Sequence, residues 1–262
     1  MKPIRTAAIG VGVQGDRHAQ KLAALPNSEL VAVVDADASR AAAVADKLGT
    51  EAVPDYRDLV GKIDAVALST PTSTHFEIAR ELLQHGVHLL VEKPITTTVD
   101  EARELVRLAD ENSLILQVGH LERFNPVVTV LAEHVTDPQF IELNRIAPYK
   151  PRALDVSVIL DLMIHDIDLI HSFARSPMQK VDALGRSVFS DSIDIANARI
   201  EFDNGAVVAK CTVDGGRTIT LPATWNKLSG SLDATMNDGS TSVSSVTFGA
   251  NPDACFLIRD AA

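Results

Sequence analysis

Cysteine is scarce in this chain. Only Cys211 and Cys255 occur among 262 residues, and they form no CxxC pair. That argues against a disulfide framework and against a Cys-rich zinc site. No apolar run approaches the ~20 residues of a membrane span. The opening residues, MKPIRTAAIG, lack the apolar stretch and cleavage site of a secretion signal. Basic residues are outnumbered, with 24 Lys and Arg against 35 Asp and Glu, for a formal net charge of −11. Such a balance argues against a nucleic-acid partner, whose phosphates call for cations. It does not oppose a small anionic ligand, for which a helix N-terminus and a few local cations suffice. These absences point to a cytoplasmic protein with neither nucleic acid nor membrane as its partner. What is present is ordinary for a globular chain, 46% hydrophobic and 23% charged, and long enough for one large domain or two modest ones.

The first 120 residues alternate between strand-like and helical segments. Strands are predicted at 4–10, 29–34, 64–68, 87–91 and 114–118. Helices are predicted at 14–25, 38–48, 74–85 and 99–111, with Gly49 and Gly86 placed to stop two of them. This order implies βαβ units and a doubly wound parallel sheet with helices on both faces. Beyond a boundary near 119–125 the pattern changes. Helices are expected at 125–134 and 155–173, then strands at 181–190, 193–202 and 206–213. An Asp203-Asn204-Gly205 hairpin signal joins the last two strands. The fold class is therefore α/β: an N-terminal Rossmann-type domain over 1–120, then an α+β domain over 121–262 with a mostly antiparallel sheet. In the last 46 residues, 217–262, Ser, Thr, Gly and Asn crowd together and no periodicity guides an assignment.

Gly10-Val11-Gly12-Val13-Gln14-Gly15 fits GxGxxG and stands between the first strand and the first helix. There Gly10 permits the tight turn, Gly12 lets a pyrophosphate approach the backbone, and Gly15 allows close packing. Asp35, 25 positions after Gly10, ends the second strand. Its carboxylate suits both hydroxyls of an adenosine ribose and repels a 2′-phosphate, so NAD is favoured over NADP; the nearby Arg40 is the feature that would tolerate the phosphate. A tight turn with an exposed acid nearby is the plain alternative.

Two further loops follow strands at the same edge. Ser69-Thr70-Pro71-Thr72-Ser73-Thr74-His75 offers hydroxyls to ribose or phosphate, or an N-cap at Ser73 or Thr74. Glu92-Lys93-Pro94 puts two opposite charges after a buried strand. Lys93 there can hydrogen-bond a substrate hydroxyl and lower its pKa; a surface ion pair before a proline turn is the alternative.

In the helix expected at 155–173, Asp161, His165, Asp168 and Ser172 form one polar stripe at i, i+4, i+7 and i+11. A carboxylate beside an imidazole is a general-base arrangement. His165, Asp166, Asp168 and His171 also have the character of metal ligands, but no further Cys/His pair supports that and no metal is expected. Gly119-His120-Leu121-Glu122-Arg123-Phe124-Asn125-Pro126 stands at the domain junction. Arg123 suits phosphate or carboxylate and Asn125 suits sugar hydroxyls; an interdomain ion pair and an N-cap at Asn125 are the alternatives.

The glycine loop, STPTSTH, EKP, GHLERFNP and DLMIHDIDLI occur in an order that resembles the Gfo/Idh/MocA oxidoreductases over residues 1–215. The resemblance implies NAD held by Gly10, Gly12, Val13, Gln14, Gly15, Asp35, Arg40, Thr70, Pro71, Thr72, His75, Glu92 and Lys93. It implies Lys93, Asp161 and His165 as the catalytic group. GHLERFNP resembles the subgroup that oxidises C3 of UDP-N-acetylhexosamines and is linked to lipid A sugars, so a sugar-nucleotide substrate would meet Lys93, His120, Arg123, Asn125 and His165. A free polyol or an imine or enone substrate, or a catalytically silent cofactor-binding regulator, are the other members' roles. Relatives form homo-oligomers through the C-terminal sheet. Residues 217–262 do not resemble the family's ending, so a truncated or frame-shifted end with an open sheet edge is expected there.

Overall fold

The computed structural model describes residues 2–146, 156–188, 190–214, 233–237, 241–247 and 254–260. The chain divides into two compact units, Met1–Gly119 and His120–Ala262. Among the described residues no helix is long and apolar enough to cross a membrane.

The first unit is a parallel sheet of β1 (Ile4–Ile9), β2 (Ser28–Val34), β3 (Glu51–Ala52), β4 (Ala65–Leu68), β5 (His88–Val91) and β6 (Leu116–Val118). The strand order is β3-β2-β1-β4-β5-β6. Alternation along each strand sorts the core onto two faces. Ala7, Ile9, Val66, Leu68, Leu89 and Val91 pack with α3 (Thr72–Gln84) and α4 (Val99–Glu111). Ala8 and Val33 pack with α1 (Val13–Ala24) and α2 (Ala38–Leu48). The helix ends follow capping chemistry: Asp37 caps α2, Gly49 closes it at φ +66°, and Thr98 with Glu101 makes a capping box on α4. The parallel sheet and most element positions agree with expectation. Two details differ: the short β3 is not among the predicted strands, and Ser73 and Thr74 lie inside α3, whose N-cap is Pro71, with the Thr74 hydroxyl donating back to the Pro71 carbonyl at 2.7 Å.

The second unit carries a seven-stranded sheet ordered β11-β12-β13-β7-β10-β9-β8. Its strands are β7 (Pro138–Ile146), β8 (Met178–Arg186), β9 (Ile195–Phe202), β10 (Val207–Asp214), β11 (Asp233–Asn237), β12 (Thr241–Thr247) and β13 (Ala254–Asp260). Pairing is antiparallel except between β7 and β10. The β9–β10 hairpin turns where Asn204-Gly205 predicted it, with Gly205 at φ +87°. One face of β7 and β9 packs with α5 (Pro126–His134) and α6 (Ile164–Ala174) through Ile141, Leu143, Leu131, Leu169, Phe173 and Phe202.

This unit differs from expectation in one helix and adds strands where none was assigned. The long helix of 155–173 instead opens with a wide turn, Ile159–Met163, that passes into α6; Asp155 lies outside the described residues. β7 occupies a stretch with no assigned element, and it sits inside the sheet. β13 pairs with β7 and carries β12 and β11 beyond it, so the sheet ends on this side at β11. Residues 217–232 lie outside the described residues.

Candidate active site

The carboxyl ends of the first sheet form one row. The Gly10 amide donates to Val34, Ser69 to Ile9, Glu92 to Leu68 and Gly119 to Val91, at 2.7–2.9 Å. Strand order reverses between β1 and β4, and ligands of such sheets bind at that point. The glycine loop lies there. Gly10 adopts φ +79°, and a Cβ on it would meet Ser69 and Thr70 backbone at 2.7 Å. A Cβ on Gly15 would sit 1.7 Å from the Gly10 carbonyl oxygen. At Gly12 an added Cβ meets nothing within 4 Å among the described residues, so open space lies over the loop. Gly12 is also the N-cap of α1 and brings no side-chain acceptor, which leaves the first helical N–H groups to a phosphate. Val13 and Gln14 open that helix. These residues fit a dinucleotide.

Asp35 follows β2. Its carboxylate accepts the Val11 and Asp37 amides at 2.9 Å, latching the glycine loop, and Arg40 Nη1 lies 3.1 Å away. Thr70, Pro71 and Thr72 follow β4 and lead into α3. His75 is placed differently from its neighbours. It is 1% exposed, with Nδ1 3.0 Å from the Pro94 carbonyl and Nε2 2.9 Å from the Thr70 carbonyl. Its ring lies between carbonyls of the two loops, and in its neutral form it donates to one of them.

Glu92 does not form the exposed ion pair that the sequence left open. It is buried, and its Oε1 lies 2.7 Å from His18 Nε2 of α1. Lys93 follows it, half-buried, in the first unit.

In the second unit three of the predicted polar residues meet. Arg123 Nε donates to Asp168 at 2.8 Å, Nη2 binds the other carboxylate oxygen, and His120 Nδ1 lies 3.8 Å from the same group. The hydrogen bond to Asp168 raises the Arg123 pKa. The ion pair foreseen for Arg123 therefore exists, but both partners belong to this unit. The Asn125 side chain caps α5 by accepting the Val127 amide at 3.1 Å, just before Pro126 at the first helical position. Asp161 lies in the wide turn and His165 in the first turn of α6, both half-buried. Asp166 faces elsewhere. It is 1% exposed and pairs at 2.9 Å with Arg145 of β7, itself buried. Among the described residues no group of three or more His, Cys, Asp or Glu could hold a metal ion.

His18 and Arg145 were not singled out in the sequence. His18 stands three residues after Gly15, on the same side of α1. Arg145 shares strand parity with Ile141 and Leu143, so a charge in an apolar register was its signal.

Residues 4–120 match the NAD-binding Rossmann fold of the Gfo/Idh/MocA oxidoreductase family, and 134–229 match that family's C-terminal domain. The UDP-N-acetylglucosamine 3-dehydrogenase of Acidithiobacillus ferrooxidans is 42% identical over 221 residues, 84% of this chain and 69% of that protein. The scyllo-inositol 2-dehydrogenase (NAD(+)) of Bacillus subtilis is 30% identical over 225 residues, 78% and 65% of the two chains. A solved structure of the Acidithiobacillus ferrooxidans dehydrogenase aligns with a TM-score of 0.80 at 36% identity, over 100% of this chain and 83% of that one. The chain thus spans about two thirds of the length of these curated relatives. It belongs to the Gfo/Idh/MocA oxidoreductase family, and its first unit is an NAD-binding Rossmann domain.

Proposed function

We propose that this protein is an NAD-dependent dehydrogenase that oxidises the C3 hydroxyl of a UDP-N-acetylhexosamine, UDP-N-acetylglucosamine first among them, to the 3-keto sugar. The observation that carries this reading is the 42% identity with the Acidithiobacillus ferrooxidans UDP-N-acetylglucosamine 3-dehydrogenase across most of the chain. Held by the Gly10–Gly15 loop and Asp35, NAD would supply the acceptor for the hydride lost by the alcohol carbon. The chain's own residues manage the other product, the hydroxyl proton. His165 takes it as general base, with Asp161 orienting the ring and stabilising the imidazolium. The Lys93 ammonium hydrogen-bonds the same hydroxyl and favours its ionised form. His120 and Arg123 contribute to the substrate's polar surroundings, with Arg123 set in place by Asp168.

A free polyol is the competing substrate. It gains support from the inositol dehydrogenases among the relatives, and from Arg123, whose fork is already engaged by Asp168. Following NADH absorbance with a panel of UDP-sugars and inositols decides between them. Reduction of NAD with UDP-N-acetylglucosamine and not with scyllo-inositol is the expected result; the reverse assigns the polyol. His165→Asn and Lys93→Ala are each expected to lower turnover at least about tenfold while NAD still binds. Near-normal rates in both would overturn the assignment. The family's association through the C-terminal sheet extends the proposal to a homo-oligomer, which sedimentation would test.

A further inference from the structure

Lys93 stands between two anchored neighbours. On its N-terminal side, Glu92 Oε1 lies 2.7 Å from His18 Nε2, and both side chains are only 12% exposed. The second oxygen, Oε2, accepts the Lys93 amide at 3.3 Å. Gly119 lies so near that a Cβ there would come within 3.1 Å of the carboxyl atoms, so this carboxylate has little room to move. On the C-terminal side, the Pro94 carbonyl lies 3.0 Å from His75 Nδ1, while the other ring nitrogen reaches Thr70. The two histidines come from opposite faces of the sheet. His18 belongs to α1, which packs on the Ala8 face, and His75 to α3, which packs on the Ile9 face.

A lysine ammonium sits at the end of a long flexible side chain, and its placement costs rotamer entropy. Loops at strand ends are the mobile part of an α/β sheet. A misplacement of about 1 Å at a reacting group can cost about a hundredfold in rate. Fixing the backbone on both sides of the lysine removes one source of that error before substrate arrives. We infer that His18 and His75 are positioning residues for Lys93, clamping the chain immediately before and after it from the two faces of the sheet. The inference rests on the reading of Lys93 as the residue that meets the substrate hydroxyl.

Full-length protein carrying His18→Leu, His18→Gln, His75→Leu or Lys93→Ala separates the two ideas. In the apo protein, hydrogen exchange at the amides of Glu92, Lys93 and Ile95 is read by mass spectrometry. In His18→Leu and His75→Leu it is expected to quicken about tenfold or more, as local opening becomes easier. With UDP-N-acetylglucosamine and NAD, kcat of both variants is expected to fall about tenfold, and in His18→Leu, the variant away from the Thr70 loop, the Kd for NAD changes less than about threefold. His18→Gln, whose Nε2 can occupy the place of the imidazole Nε2, restores most of both losses. The inference is overturned by unchanged exchange, by kcat and NAD affinity of His18→Leu falling in step, or by a Gln variant no better than Leu. If His18→Leu does not fold, His18→Gln against the shorter His18→Asn gives the same contrast. Full turnover in Lys93→Ala overturns the role of Lys93 itself. Inactive Lys93→Ala beside unimpaired His18→Leu and His75→Leu overturns only the clamp.

Discussion

The two units hold their polar groups in different ways. In the first, most groups at the strand ends lean on main chain: Asp35 on two amides, His75 between two carbonyls, Gly10 and Ser69 on neighbouring strands, with the Glu92–His18 pair the exception. In the second, one helix turns two carboxylates inward and each meets an arginine from elsewhere, Asp166 with Arg145 and Asp168 with Arg123. A site built on main chain depends on local geometry, and small residues control it. A site built on paired side chains depends on the survival of both partners, because a buried charge left alone is costly.

The largest effect should follow from breaking the deepest pair. Asp166→Ala leaves the Arg145 cation buried without its partner, and chemical denaturation should show a loss of about 3–5 kcal/mol. Replacing both residues with apolar ones of similar size should recover much of that loss, which would confirm that the damage came from the stranded charge. In the first unit the corresponding lesion is steric. Gly15→Ala puts a methyl group where the Gly10 carbonyl oxygen now lies 1.7 Å away, so the loop must move. NAD affinity measured by calorimetry should drop at least about tenfold, or about 1.4 kcal/mol.

The contrast also explains what could be read in advance. The glycine loop, Asp35 and the Asn204-Gly205 turn announce themselves because each is a local demand on the backbone, met by one or two residue types. The ion pairs join residues 21 and 45 positions apart, and no spacing rule connects them. The wide turn at Ile159–Met163 escaped notice for a related reason, since a helical pattern of apolar residues does not record one extra residue in a turn. In β7 the alternation of Ile141, Glu142, Leu143 and Asn144 is short, and Arg145 breaks it by placing a charge in the apolar register. The composition of Ser73 and Thr74 suggests a cap, whereas the helix begins a little earlier, at Thr72 after Pro71.

Two smaller effects sharpen the comparison. Arg123 is half exposed, so Arg123→Ala should destabilise less than loss of the buried pair, by about 1–2 kcal/mol, read as a shift in the urea midpoint. At the opposite end of the first sheet, Arg5 donates to Asp64 from both its amide and its side chain and lowers that carboxyl to about 2. A depressed carboxyl contributes stability above its unfolded value near 3.9, and the contribution fades as pH falls toward the folded value. Asp64→Asn should therefore cost under about 1 kcal/mol at neutral pH, since both groups face water, and the gap to the parent should close between about pH 4 and pH 2.

The pairing of β7 bears on how the chain is made. Both of its neighbours, β10 and β13, emerge from the ribosome long after it does, whereas every strand of the first sheet finds its partners within the opening 118 residues. The nascent Rossmann unit can complete itself while β7 waits with two bare edges, which invite pairing with other chains. Synthesis thus leaves the second unit's strands open to chaperones and to aggregation over a longer stretch of chain than the first's.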